Sequence, residues 1–143
     1  MLLRITTLVG VLALLLGGGA AGLAQAEAEA EAEARSSAKA WLALLEDQQY
    51  AETWQQAGAM LKGAVSQDEW AKKLSATLGP LGKVKSRAAR STEYSTTMPG
   101  APDGEYVVVI FDTVFENKQT AVETVPLTKE EDGAWRVSGY WIR

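Results

Sequence analysis

The segment EYVVVIFDTVFE, residues 105–116, decides the fold class of this 143-residue chain. Its residues alternate with period two, which is typical of a β-strand. One face then carries Val107, Val109, Phe111, Thr113 and Phe115, and the other carries Tyr106, Val108, Ile110, Asp112 and Val114. Both faces are mostly apolar. This pattern predicts either a sheet covered by helices on one face and a second subunit on the other, or a sheet that curls around a cavity.

The segments on both sides of this strand complete an antiparallel sheet of four strands. A polar, Ser/Thr-rich strand is predicted over residues 87–97, before a turn-rich connection at 98–104. Asn117-Lys118 predicts a hairpin turn into a strand near residues 119–127, where Pro126 indicates an edge or a bulge. After the Asp132-Gly133 turn, a last strand alternates Trp135, Val137, Gly139 and Trp141 with Arg136, Ser138, Tyr140 and Ile142.

Helical periodicity precedes the strands. Residues 36–60 have apolar side chains at steps of three and four, interrupted at 46–49, which predicts two helices or one bent helix. Ser66 and Glu69 form a capping-box pattern that predicts the start of a further helix, and Gly79-Pro80 predicts its end. Helices followed by an antiparallel meander indicate an α+β fold, with two to three helices packed on a curved four-stranded sheet.

The N-terminus has the pattern of an export signal. Arg4 precedes an apolar run over residues 5–16, glycines that should break a helix follow, and Ala24-Gln25-Ala26 fits a cleavage site. A retained membrane anchor is the alternative, because residues 5–24 carry no charge. We therefore expect a signal peptide over residues 1–26, an acidic Glu/Ala-rich tail over 27–35 and a single α+β domain over 36–143. The expected location is the bacterial periplasm or the exterior.

Composition excludes several kinds of chemistry. The chain has no Cys and no His, which removes disulfides, thiol nucleophiles, zinc–thiolate sites and the usual general base near pH 7. A net charge of −4 without a Lys/Arg block argues against binding to nucleic acid or to an anionic membrane. Neither an EF-hand pattern nor a phosphate-binding loop is present. We expect no metal and no cofactor.

Charged and tyrosine residues on the predicted strands provide the candidate site. Asp112 or Glu123 could act as a base with the hydroxyl of Tyr94, Tyr106 or Tyr140. The alternative is that Asp112 lies on a wet face and pairs with Lys or Arg, and that Glu123 pairs with Arg136 across two strands. If buried, Glu123 and Arg136 could instead anchor a polar ligand. The candidate ligand-binding residues are Tyr94, Asp112, Glu123, Arg136 and Tyr140.

The five tryptophans invite interpretation as an aromatic ligand box. Trp41, Trp54 and Trp70 lie on predicted helix stripes, and Trp135 and Trp141 on one predicted strand face. These are positions of core residues, so we predict that they build the core rather than line a ligand pocket, with one or two lining residues as the alternative.

Several short segments, in order and spacing, resemble domain-of-unknown-function family 4019, a family of small exported bacterial proteins. The matching residues are Trp41-Leu42 with Asp47, Tyr50 and Trp54; Trp70 with Leu78-Gly79-Pro80-Leu81-Gly82; Pro99-Gly100, Asp103-Gly104 and Tyr106; Phe111, Thr113 and Phe115 with Asn117-Lys118; Glu123; and Asp132-Gly133, Trp135, Val137, Gly139, Tyr140 and Ile142. The resemblance extends from about Ala38 onward. It implies a cone of helices on a sheet, similar to the nuclear transport factor 2 or cystatin-like group, and it implies no established activity.

Three functions fit these observations. The first is a non-catalytic exported domain that binds a small ligand or an envelope protein through the concave face of its sheet. The second is a metal-independent enzyme, which needs Asp112 or Glu123 to face a tyrosine inside an enclosed apolar pocket. The third is a structural homodimer that covers the second face of the sheet.

Overall fold

The computed structural model describes residues 18–143, so most of the predicted signal peptide lies outside the described residues. Within this range the helices and strands follow each other in the predicted order, helices first. The helices are α1 (Gly18–Glu46), α2 (Tyr50–Gln55), α3 (Ala59–Ala64) and α4 (Gln67–Leu78), followed by a 3₁₀ turn at Gly79–Leu81. The strands are β1 (Val84–Ser95), β2 (Tyr106–Phe115), β3 (Lys118–Lys129), β4 (Trp135–Val137) and β5 (Trp141–Ile142).

The strands form one antiparallel sheet in the order β1-β2-β3-β4, and β5 also pairs with β3. Helices pack on one face of this curved sheet, which confirms the predicted α+β fold. On β2 the predicted alternation is confirmed: Val107, Val109, Phe111, Thr113 and Phe115 are all buried against the helices. On the opposite face Val108, Ile110 and Val114 are only half-buried. The helices contribute Trp41, Leu42 and Leu45 from α1 and Trp70, Leu74 and Leu78 from α4 to the core.

Helix α1 is longer than the sequence predicts. Residues 27–35, expected to form an acidic tail, are helical, and so are Gly18 and Gly19, where a break was expected. Ala34 and Ala38 are fully buried, since small residues one turn apart let the helix approach the sheet closely. The carboxylate of Glu31 accepts a hydrogen bond from the backbone N–H of Tyr94 at 3.1 Å. Tertiary contacts therefore hold a segment that was expected to form only an acidic tail.

The last predicted strand is interrupted opposite Pro126. Proline has no N–H to donate to a neighbouring strand. The segment after β4 is therefore bonded to Pro126 only through the Ser138 N–H, which donates to the Pro126 carbonyl at 2.9 Å. One extra residue in this break reverses the alternation, as a β-bulge does. Tyr140 then packs against the core and Trp141 is 62% exposed. The prediction that Trp141 shares the buried face of Trp135 was therefore wrong.

The N-terminus of α4 gives a direct test of the capping prediction. The Ser66 hydroxyl accepts from the Glu69 N–H and the Glu69 carboxylate accepts from the Ser66 N–H, so both halves of the capping box are present. We expect Ser66→Ala to lower the free energy of unfolding by about 1 kcal/mol, measured by urea denaturation. Ser75→Ala, at an exposed position within the same helix, is the control and should leave stability unchanged or slightly raised. Equal effects of the two substitutions would contradict the capping role.

Candidate functional site

A carboxylate lies in the core of the molecule. Glu123, on β3, is fully buried, and it is the one charged side chain among residues 18–143 with that degree of burial. In the sheet it lies opposite Phe111 of β2 and Ile142 of β5. Burying a charge without partners costs several kcal/mol, so the groups around Glu123 decide whether the arrangement is stable.

Four donors surround this carboxylate. Arg87 donates from Nε to Oε1 at 2.7 Å and from Nη2 to Oε2 at 3.2 Å. The Thr113 hydroxyl donates to Oε1, and the Tyr140 hydroxyl donates to Oε2. A carboxylate has about four lone-pair positions, so the donors fill them all. We call Arg87, Thr113, Glu123 and Tyr140 the buried cluster.

Each member of the buried cluster comes from a different segment. Arg87 of β1 lies opposite Thr113 of β2, which brings the guanidinium over the inner face of the sheet. Tyr140 reaches Glu123 because the interruption opposite Pro126 turns its side chain inward. Its ring lies 5.7 Å from the ring of Trp41, centroid to centroid. Burial, together with the charge and hydrogen bond of Glu123, raises the pKa of Tyr140 well above the usual range.

Arg87 also connects the cluster to the end of α1. Its Nη1 forms an ion pair with Glu46, the last residue of that helix. The Arg87 side chain is 12% exposed and that of Glu46 is 42% exposed, so this second pair lies at the surface. Two carboxylates therefore share one guanidinium.

A cavity of about 400 Å³ opens beside the buried cluster, between the end of α1, the end of α4 and the start of β1. Its apolar wall consists of Leu45, Leu78 and Phe115, and its polar wall includes Arg87, Glu123 and Tyr140. The rim carries three acidic residues, Glu46, Asp47 and Glu116, and one basic residue, Lys83. We call this space the cluster cavity.

The structure brings two of the predicted site residues together and separates the other three. Glu123 and Tyr140 meet in the buried cluster. Asp112 is exposed and pairs with Arg90 on the neighbouring strand, which confirms its interpretation as a surface pair. Tyr94 lies near the other end of β1, where its hydroxyl donates to Glu105 at 3.1 Å.

The predicted pair between Glu123 and Arg136 was wrong. Arg136 donates two hydrogen bonds, of 2.9 and 2.7 Å, to Asp132 within its own hairpin. These bonds lower the pKa of Asp132 to about 2. The register explains the error, because Arg136 lies opposite Thr128 while Glu123 lies opposite Ile142.

Three residues that contact this site or each other were not predicted from the sequence: Arg87, Thr113 and Glu46. Thr113 was predicted to share a strand face with Val109 and Phe111, but nothing in the sequence linked it to a carboxylate. Arg87 lies in β1, a polar strand whose register shifts twice against β2, between Val84 and Ser86 and between Ala89 and Ser91. Such shifts decide which face each side chain occupies, and no local signal marks them here.

The tryptophans are mainly core residues, as predicted. Trp41, Trp70 and Trp135 are buried and Trp54 packs against the core. The indole N–H of Trp41 donates to the Thr53 carbonyl at 2.8 Å, and that of Trp70 donates to the Thr53 hydroxyl at 3.0 Å. Trp141 is the exception, because it is exposed.

Two further findings concern residues 18–143. No group of three or more Asp, Glu, His or Cys side chains is arranged there to hold a metal ion. None of the helices in this part of the chain combines the length and apolar character needed to cross a membrane.

The chain belongs to the family described as "Protein of unknown function (DUF4019)", whose model matches residues 37–140. The match confirms the resemblance seen in the sequence and includes every member of the buried cluster. A search of curated proteins found no match.

The burial of the Arg87–Glu123 pair can be tested against a matched surface pair. We expect Arg87→Met to lower the free energy of unfolding by about 3–5 kcal/mol, because Glu123 would remain buried without its guanidinium. Arg90→Met is the control: it lies on the same strand, but both Arg90 and its partner Asp112 are exposed, so the loss of stability should be much smaller than that of Arg87→Met. Urea denaturation at pH 7 measures both. Similar losses for the two variants would contradict the buried role of Arg87.

The raised pKa of Tyr140 predicts a loss of stability at alkaline pH. In the unfolded chain a tyrosine loses its proton near pH 10, whereas folded Tyr140 keeps it to higher pH. The stabilising contribution is therefore complete below about pH 10 and is lost as pH rises further. Denaturation between pH 8 and 11.5 should show a steeper decline for the wild type than for Tyr140→Phe. Tyr50→Phe retains Tyr140 and should decline like the wild type; a Tyr140→Phe variant that did the same would refute the prediction.

Proposed function

We propose that this protein binds a small ligand in the cluster cavity and does not transform it. The supporting observation is the polar wall of the cavity, in which Arg87, Glu123 and Tyr140 are fixed by each other beside an apolar wall. Small-molecule sites usually combine a largely apolar lining with a few convergent polar groups, and the cluster cavity has both.

The hydrogen bonds in the buried cluster argue against catalysis. The enzyme alternative has one observation in its favour, since Glu123 does face Tyr140. However, a general base needs a free acceptor position for the proton that it removes, and the four positions on Glu123 are filled. The Tyr140 hydroxyl donates its hydrogen bond to Glu123, so it is not free to stabilise an oxyanion. Asp112 is exposed and paired, which removes it as a candidate base.

The charges around the cavity favour a ligand with a positive charge. Glu46 and Glu123 share one guanidinium, which leaves one negative charge without a counter-charge in that group. At the rim, Asp47 and Glu116 face a single Lys83, so the lining as a whole is negative. An amine attached to an apolar body would contact both the acidic rim and the wall of Leu45, Leu78 and Phe115.

Three probes of equal length test this proposal: n-butylammonium, n-butanol and n-butyrate. At constant ionic strength we expect n-butylammonium to shift the backbone NMR signals of Gly82 and Tyr140 at lower concentration than n-butanol does, and n-butyrate to have the weakest effect. Glu116→Gln should weaken the binding of n-butylammonium. Glu93→Gln, which removes an exposed carboxylate of β1 outside the cavity lining, should not.

The outcomes separate the two parts of the proposal. Preferred binding of n-butyrate in the same cavity would refute the charge argument and leave ligand binding in place. Absence of shifts with all three probes, or turnover of a substrate that depends on Glu123, would refute non-catalytic binding itself.

The location and the partners of the protein belong to the same proposal. An export signal over residues 1–26 would bring the cavity into contact with solutes of the bacterial envelope or of the exterior. The half-buried apolar residues on the outer face of β2, with the exposed Trp141 nearby, support the alternative of a homodimer. Sedimentation at several protein concentrations tests this alternative, and a monomer throughout would refute it.

A further inference from the structure

The outer edge of β4 has main-chain groups without partners. In an antiparallel ladder, the N–H and C=O of one residue point to the same side. Ser138 N–H donates to the Pro126 carbonyl, which makes Ser138 and Arg136 the residues that pair with β3. The main-chain N–H and C=O groups of Trp135 and Val137 must then point away from β3. Two bonds agree with this assignment: Gly58 N–H donates to the Val137 carbonyl from outside, and Lys129 N–H, opposite Trp135, donates to Glu105 instead.

Three outward groups on this edge remain. They are the N–H and the C=O of Trp135 and the N–H of Val137, and none of them has a hydrogen-bond partner within residues 18–143. The N–H and the C=O of Trp135 can pair with one residue of an extended peptide. The position opposite Val137 is already taken by Gly58, whose N–H donates to the Val137 carbonyl. Most buried main-chain groups in proteins are paired, so this row indicates that a partner completes the edge.

A second cavity, of about 390 Å³, lies against this edge. Residues of α1 (Ala40, Trp41 and Leu44) and of α2 (Glu52 and Gln56) line it together with Trp135. The Trp135 side chain is itself buried, with 6% of the residue exposed, and its indole N–H has no acceptor in the described part of the chain. This fourth unpaired group calls for an acceptor at the same place.

The opposite edge of the sheet, along β1, is protected against pairing with another strand. Along β1, the carboxylate of Glu31 accepts from the outward N–H of Tyr94, and Arg35 donates to the Thr92 hydroxyl. Two register shifts and several charged side chains also interrupt that strand. Charges, bulges and coverage are the usual means of blocking an edge, and β1 has all three. At the outer edge of β4, Gly58 covers Val137, but neither a charged side chain nor a register shift protects Trp135.

We propose that the outer edge of β4 binds an extended peptide segment, which adds to the sheet through the main chain of Trp135, next to the position that Gly58 occupies opposite Val137. One side chain of the peptide would occupy the second cavity against Trp41 and Leu44. Glu52 lines this cavity, and the charge of Arg136 is balanced by Asp132, so a basic residue in the peptide would be favoured. The site is separate from the cluster cavity and does not depend on the function proposed for it.

The probe is the blocked pentapeptide acetyl-Lys-Val-Thr-Val-Lys-amide, titrated into the full-length protein labelled with ¹⁵N. We expect shifts of the Trp135 and Val137 amides and of the Trp135 indole signal. Two control peptides have the same sequence. One carries N-methyl groups on the main-chain nitrogens of both valines, and the other carries one on the main-chain nitrogen of the threonine. They should differ, because an added strand pairs through alternate residues only. One of the two should bind about tenfold more weakly, the loss expected from one main-chain hydrogen bond, the one to the Trp135 carbonyl.

Two variants locate the binding. Ala40→Trp fills the second cavity from an exposed position on α1 and should abolish the shifts. Ala43→Trp, also exposed on α1 but outside the cavity lining, should not. Hydrogen exchange checks the premise, because the Trp135 amide should exchange faster than that of Arg136 in the free protein and slow down with peptide. Protection of Trp135 in the free protein, no binding of the peptide, equal binding of both methylated versions, or unchanged binding to Ala40→Trp would each overturn the proposal.

Discussion

The ion pair between Glu123 and Arg87 is the constraint that the rest of the structure must satisfy. A fully buried carboxylate is tolerable only when donors fill its acceptor positions, and these donors come from β1, β2 and the segment between β4 and β5. Through Glu46 the same guanidinium also fixes the end of α1. Sheet curvature, the position of the first helix and the interruption opposite Pro126 must therefore be compatible with one small group of atoms. A hydrophobic side chain at residue 123 would fill the space without imposing this geometry.

The features that could be predicted from the sequence are those with a local physical cause. The alternation in residues 105–116 decides which side chains are buried, and the capping box fixes the start of α4, because each signal lies within a few residues of the structure that it produces. The surface pairing of Asp112 was predictable for the same reason, since a single charge on a half-buried face needs only a neighbouring strand with a base. Family membership followed from the order of many such local signals.

The candidate site was only partly predictable, because it depends on register. Glu123 and Tyr140 were named from the sequence, but their contact requires the one-residue reversal opposite Pro126, and a shift of one residue changes the face of every side chain that follows. Arg87 reaches Glu123 across an intervening strand, and a register shift lies on each side of Arg87 along β1. That residues 27–35 are helical was not predicted, for a related reason. The stability of this segment comes from buried alanines and from Glu31, which contacts a strand more than sixty residues away.

The two cavities lie on opposite sides of one rigid aromatic wall, and this arrangement decides how they relate. Tyr140 lines the cluster cavity, Trp41 lines the cavity at the edge of β4, and their rings are in contact. Trp41 is held in place by the carbonyl of the fully buried Thr53, whose hydroxyl also holds Trp70. These hydrogen bonds hold the wall in one arrangement, and coupling between sites needs a second one that a ligand could favour. We therefore expect a small ligand and a peptide to bind to this fold independently.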